Sequence, residues 1–133
     1  LTAFSRLRQQ RLKELMRFFK EYEHTFILPR QHEDVATNWL AFPLTIRPGV
    51  AFTRAEITKY LEEHNIQTRP IFTGTILYQP GYKGIPHRKA VPTFPVSDHI
   101  TRNGFLIGAH QGLSNAQMKY LCKILRIFLE RYS

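Results

Sequence analysis

The stretch T-R-A-E-I-T-K-Y-L-E-E-H-N-I-Q-T-R-P-I-F, residues 53–72, decides the fold because it holds one complete step from a helix back to a sheet. Thr53 and Glu56 are spaced as a capping box, in which each residue satisfies a free backbone N–H of the other at a helix start. This predicts a helix over 54–63. The β-prone segment 66–72 then predicts a strand that returns the chain to the sheet.

Further elements are predicted on both sides of this step. Apolar residues at three- and four-residue steps predict an opening helix that ends near residue 22 and has a basic outer face. Ser114 and Gln117 form a second capping box, which opens the closing helix. Strands are predicted near 40–46 and 105–108. The order of elements indicates an α+β fold with a small, mainly antiparallel sheet and helices packed on one side.

The remaining segments are less regular. Residues 73–95 contain four prolines and three glycines, which predicts a long loop that is either functional or disordered. Ser97 is predicted to cap a short helix that ends near Asn103. Pro43 interrupts an apolar strand, and we expect it at a sheet edge or a bulge, because proline has no N–H for the ladder.

Composition restricts the class of protein. The chain has 133 residues, of which 43% are hydrophobic, enough for one domain with its own core. It has no apolar run long enough to span a membrane and no signal peptide, and its single cysteine, Cys122, cannot form an internal disulfide. We expect a cytoplasmic protein. The chain begins at Leu1 within a helical pattern, so we interpret 1–133 as a piece of a longer protein.

The formal net charge of +9 raises the possibility of a polyanionic partner. More than half of this excess lies in residues 1–20, on the opening helix. Charge on one helix face is typical of a solvated or subunit-facing surface, and contact with phosphate is the alternative.

Motifs for catalysis are missing from the chain, which lacks phosphate-binding glycine loops, a nucleophile elbow and the helical zinc motif. The six histidines lack the spacing of a metal pair, so no metal site is predicted. Two positions remain as candidates. Arg69 ends a strand beside a proline, where a guanidinium can contact a carboxylate or phosphate, and His110 lies between Gly108 and Gly112. An ordinary surface ion pair and an ordinary loop histidine are the alternatives.

Three long segments follow one another in a distinctive order: N-W-L-A-F-P-L-T-I at 38–46, L-E-E-H-N-I-Q-T-R-P-I-F-T-G at 61–74 with Q-P-G-Y at 79–82, and G-F-L-I-G-A-H-Q-G at 104–112. Together they resemble the DegT/DnrJ/EryC1/StrS family. The segments are most similar to the branch of nucleotide-sugar 3-dehydrases used in lipopolysaccharide O-antigen synthesis. The chain departs from the pattern of this branch at Thr75, Ala109 and His99.

The resemblance implies the architecture of fold-type-I aminotransferases, with residues 1–133 as the small C-terminal domain. A large domain, absent from this chain, would hold pyridoxal phosphate or pyridoxamine phosphate (PLP or PMP). The chain itself is expected to bind no cofactor and to be inactive alone. The implied substrate is a nucleotide-linked keto-deoxysugar, contacted by Arg69, His110, His99 and Phe42, and the implied assembly is a homodimer without a membrane or nucleic-acid partner.

Two alternatives remain. Within the family, the protein can be a sugar aminotransferase, which is distinguished from a dehydrase by a lysine instead of a histidine at the cofactor, outside this chain. From another class, it can be a basic, non-enzymatic module that binds nucleic acid.

Overall fold

A computed structural model describes residues 1–72 and 74–132, so Thr73 and Ser133 lie outside the described residues. These residues form four α-helices and four β-strands: α1 Thr2–Lys20, β1 Phe26–Ile27, β2 Ala41–Ile46, α2 Arg54–Glu63, β3 Thr68–Pro70, α3 Pro95–Asn103, β4 Gly104–Gly108 and α4 Asn115–Leu129. The strands form one antiparallel sheet in the order β1-β2-β4-β3. The predicted α+β fold is confirmed.

Both capping boxes are formed. The Thr53 hydroxyl accepts from the Glu56 N–H, and the Glu56 carboxylate accepts from the Thr53 N–H at 2.7 Å. The hydrogen bonds from Thr53 lower the pKa of Glu56 below its usual value. At the other end of α2, Asn65 has a left-handed backbone with φ of 58°, and the Ile66 N–H reaches back to the Leu61 carbonyl. Local sequence therefore fixes both ends of this helix.

One face of the sheet forms the core. The register pairs Phe42 with Ile107 and Leu44 with Phe105, so these four side chains point to the same side, and all are buried. The Phe19 ring of α1 stacks on Phe42 with centroids 5.4 Å apart. Apolar residues of α1, α2 and α4 complete a single cluster on this face. The opening and closing helices thus pack on the same side, as predicted.

The opposite face is largely uncovered by helices. Pro43, Leu106 and Arg69 are paired in register and share this face, where Pro43 and Leu106 are only half-buried. Gly104 follows the last residue of the short helix α3. Its backbone lies so close to α3 that an added Cβ would be 2.6 Å from the Ile100 carbonyl oxygen. Only glycine permits this contact.

Several local predictions need correction. Strand β1 was not predicted, because two residues carry too little pattern, and β3 is shorter than the predicted 66–72. Ser97 does not cap α3, since the helix already begins at Pro95, which presets the backbone dihedral of a first helical turn. Between β3 and α3 there are two short 3-10 turns, Ile76–Tyr78 and Pro80–Tyr82.

Pro43 lies where only β4 flanks β2, since β1 pairs only with Thr45 and Ile46. Its local position is therefore an edge, although β2 is an inner strand. Among the described residues, no helix combines the length and the apolar character needed to cross a membrane.

We expect Phe42→Ala to lower the free energy of unfolding by about 3 to 5 kcal/mol, because a fully buried ring is replaced by a cavity. Phe72→Ala is the matched control. The Phe72 side chain is 89% exposed, so its removal should change stability by less than about 0.5 kcal/mol. Urea unfolding of both variants measures the difference, and equal effects would contradict this assignment of the core.

Candidate functional site

A groove of about 320 Å³ lies where the uncovered sheet face meets the start of α4, and both Arg69 and His110 line it. The other lining residues come from β2, the turn after α2, β4 and α4: Ala41, Asn65, Ile66, Gln67, Leu106, Ile107, Gly108, Leu113, Gln117, Tyr120 and Leu121. The groove has apolar walls and a few polar side chains, which is the usual make-up of a ligand site. Arg69 and His110, which the sequence indicates as two separate candidates, therefore line the same groove.

Arg69 is directed into the groove by strand register. It pairs with Leu106 of β4, while its neighbours Thr68 and Pro70 pair with core residues. The Arg69 side chain is exposed and has no hydrogen-bond or ion-pair partner among the residues that the structure describes. The carboxylate of Glu62 nearby instead accepts a hydrogen bond of 2.6 Å from Thr68. Arg69 is thus a cation available to an anionic ligand.

His110 is held between two glycines. An added Cβ at Gly112 would lie 3.1 Å from His110 Nδ1, and one at Gly108 would lie 3.4 Å from Cδ2. The Gly112 N–H also donates a hydrogen bond of 3.1 Å to Nδ1. The glycines therefore permit the close approach of backbone to the ring, as their spacing indicated.

Two arginines of α1 contact the His110 turn and the start of α4. Arg8 Nε donates to Gln111 Oε1 at 2.7 Å, and Arg11 Nη1 donates to Asn115 Oδ1 at 2.8 Å and to Glu14. Arg11 is only 4% exposed. The predicted basic outer face of α1 consists of the exposed Arg6, Lys13, Arg17 and Lys20, whereas Arg8 and Arg11 are turned toward the rest of the domain. Sequence alone gives no signal for contacts more than 100 positions apart.

His99 and Phe42 lie elsewhere. His99 is half-buried on α3, where its Nδ1 lies 3.0 Å from Asn103 Nδ2, and its buried Nε2 has no hydrogen-bond partner in the described part of the chain. Phe42 is 0% exposed and stacks on Phe19, so its position is that of a core residue. Neither side chain lines the groove.

A larger cavity of about 620 Å³ lies between α1 and α4 and includes Cys122. Burial raises the pKa of the Cys122 thiol above its usual value, which disfavours the reactive thiolate. Its lining residues include none of the predicted site residues. We therefore place the candidate site at the smaller groove.

The profile of the DegT/DnrJ/EryC1/StrS aminotransferase family matches residues 1–126. The chain belongs to this family. The predicted family membership is confirmed.

Members of the family with similar sequences include nucleotide-sugar enzymes. The chain is 31% identical over 94 residues to the lipopolysaccharide biosynthesis protein RfbH of Salmonella typhimurium, covering 71% of this chain and 21% of that protein. It is 27% identical over 126 residues to GDP-4-keto-6-deoxy-D-mannose 3-dehydratase of Yersinia pseudotuberculosis, covering 95% of this chain and 31% of that protein. The chain therefore spans only a part of these relatives.

The fold recurs in solved structures of the family. GDP-4-keto-6-deoxy-D-mannose-3-dehydratase of E. coli, solved with bound hydrated PLP, superposes with a TM-score of 0.79 at 21% identity. The match covers 93% of this chain and 31% of that one. This likeness confirms the predicted aminotransferase-type fold of the small domain.

The residues of the groove do not fit PLP by themselves. Among the described residues that line it there is no lysine, which is the side chain that forms a Schiff base with PLP. Arg69 is suited to an anionic group, but one arginine is not a complete site for the cofactor. The groove residues of this chain alone therefore do not hold the cofactor.

Two arginine-to-alanine variants distinguish an arginine that is available to a ligand from one that stabilises the fold. Arg69→Ala should change the free energy of unfolding of this chain by less than about 0.5 kcal/mol, because Arg69 is exposed and unpaired within the described residues. Arg11→Ala should lower it by about 2 kcal/mol or more, because Asn115 loses a charge-assisted bond and a buried side chain is removed. Chemical denaturation measures both, and a large loss in Arg69→Ala would make Arg69 a structural residue.

Proposed function

We propose that this chain is the small C-terminal domain of a PLP/PMP-dependent nucleotide-sugar 3-dehydratase of deoxysugar or lipopolysaccharide biosynthesis. In this proposal its groove contacts the anionic part of a nucleotide-linked keto-deoxysugar. The observation that supports this most directly is the groove, which combines the unpaired Arg69 with His110. The names of the sequence relatives support the substrate class.

The chemistry of the groove suits a diphosphate. A planar guanidinium forms two parallel hydrogen bonds to phosphate oxygens, and it keeps its charge at any physiological pH. The side-chain amides of Gln67 and Gln117 add donors along the same walls. The net charge of +9 favours the approach of an anion over long range.

The cofactor would be held by another domain of the intact protein, placed against this one. Phe72 and the segment 74–96 display large exposed apolar side chains, namely Phe72, Ile76, Tyr78, Tyr82, Ile85, Val91 and Val96. Exposed apolar side chains grouped along one segment are typical of an interface. We place the cofactor-binding domain or the second subunit of a cytoplasmic homodimer at this surface.

A sugar aminotransferase is the second candidate. The family is described as an aminotransferase family, which supports it. The two activities differ in the group at position 3 or 4 of the sugar and not in the need for an anion site. The groove of this chain therefore fits both.

The test uses the intact protein with added PMP and a nucleotide-linked 4-keto-6-deoxysugar. Mass spectrometry and NMR of the product separate the candidates: loss of the 3-hydroxyl supports the dehydratase, whereas gain of an amino group supports the aminotransferase. Binding to arbitrary DNA with a steep salt dependence, without turnover of the sugar, would support the non-enzymatic alternative instead.

In the intact protein, Arg69→Ala should lower kcat/KM by about 30- to 1,000-fold, because a charged contact to the substrate is lost. Arg17→Ala is the control, since Arg17 is an exposed arginine on α1 that does not line this groove. Steady-state kinetics with the nucleotide-linked sugar measures both variants. Unchanged kinetics in Arg69→Ala would remove Arg69 from the substrate site.

A further inference from the structure

The orientation of His110 restricts what its imidazole can do. Nδ1 accepts the Gly112 N–H at 3.1 Å, so its lone pair is occupied. In the neutral ring the proton must then reside on Nε2, because one ring nitrogen is a donor and the other an acceptor. Nε2 has no hydrogen-bond partner among the described residues and belongs to a side chain that lines the groove.

The turn that carries His110 is held at three points. The Ala109 N–H donates to the Leu40 carbonyl at 3.2 Å, and the Leu113 N–H donates to the His110 carbonyl at 3.3 Å. The third point is the side chain of Gln111, which accepts a hydrogen bond of 2.7 Å from Arg8 Nε. The first two contacts are made by the backbone. Only the third depends on a side chain of another helix, α1.

We infer that Arg8, acting through Gln111, is a positioning residue that fixes His110 as the Nε2–H tautomer, a hydrogen-bond donor in the groove that Arg69 also lines. The contact with Arg8 is charge-assisted and short, which makes it stronger than a bond between neutral groups. It holds the chain between His110 and Gly112, so that the Gly112 N–H remains aimed at Nδ1.

The donor role defines the ligand class. A neutral N–H donor in a groove that also holds a guanidinium is suited to an anionic oxygen. Because Nε2 carries the hydrogen, it has no free lone pair to accept a proton from the ligand. That the ligand is the diphosphate of a nucleotide-linked sugar rests on the proposed function. The tautomer of His110 and its dependence on Arg8 do not rest on the proposed function, because both are properties of the chain itself.

The experiment is long-range 1H–15N NMR of the 15N-labelled chain, which identifies the protonated nitrogen of each histidine ring. We expect His110 to be the Nε2–H tautomer. Arg8→Lys retains the charge but removes the Nε–H, so it should admit the second tautomer and speed hydrogen exchange of the Gly112 amide about tenfold. Arg6→Lys, an exposed position on the same helix, is the control and should change neither.

The results of these NMR measurements distinguish failure of the positioning role from failure of the proposed function. A His110 ring protonated on Nδ1 in the unaltered chain overturns the inference, and so does an Arg8→Lys variant with unchanged tautomer and exchange. The double variant Arg8→Lys with Gln111→Glu should form a new charged contact between the two side chains. If it restores both the Nε2–H tautomer of His110 and the slow exchange of the Gly112 amide, at a melting temperature similar to that of Arg8→Lys, positioning by a charged contact is supported. Inorganic pyrophosphate then probes the ligand class: if it fails to shift the His110 Nε2–H resonance although the tautomer is as expected, the proposed function fails and the positioning role remains.

Discussion

The stacking of Phe19 on Phe42 shows the constraint on which the rest of the structure depends: alternate residues of β2 and β4 must point into one core. A slip of one residue in register would place Phe42 and Phe105 on the uncovered face and lose their burial. The same alternation directs Leu106 outward, and with it Arg69 on the neighbouring strand. The packing that holds the fold therefore also holds the groove cation in place.

The net charge of the chain overstates the number of cations available to a partner. Arg11 is buried against Glu14 and Asn115, and Arg8 is bound to Gln111. Arg54 donates to the carbonyls of Thr101 and Gly104 at the end of α3, where free carbonyls favour a cation. These arginines stabilise helix ends and turns. A polyanion hypothesis drawn from composition alone therefore counts residues that already have structural partners.

Sequence predicted the features that are encoded locally. Each capping box depends on residues within three positions of each other, and both boxes were predicted correctly. Ser97 was assigned as a cap although Pro95, two positions earlier, is also a start signal, and the structure uses the proline. The pairing of Arg69 with the His110 groove depends on β3 and β4 being neighbours, which no local pattern encodes.

Two segments that adjoin the groove residues are held by contacts made outside the groove. On one side, the Thr75 N–H donates to Thr101 Oγ1 at 2.8 Å, and the Thr75 hydroxyl donates to Asp98 Oδ1 at 3.1 Å, which ties the chain after β3 to α3. Phe72 just before this tether has a φ of 49°, a strained value for an aromatic residue, and such strain persists only where the surroundings impose it.

On the other side, α1 holds the His110 turn through Arg8. The His110 turn takes its position without a ligand. Because little chain must become ordered on binding, more of the contact energy of Arg69 and His110 is available to hold the ligand. A substitution at Arg8 of α1 can for this reason weaken binding in the groove without touching the ligand.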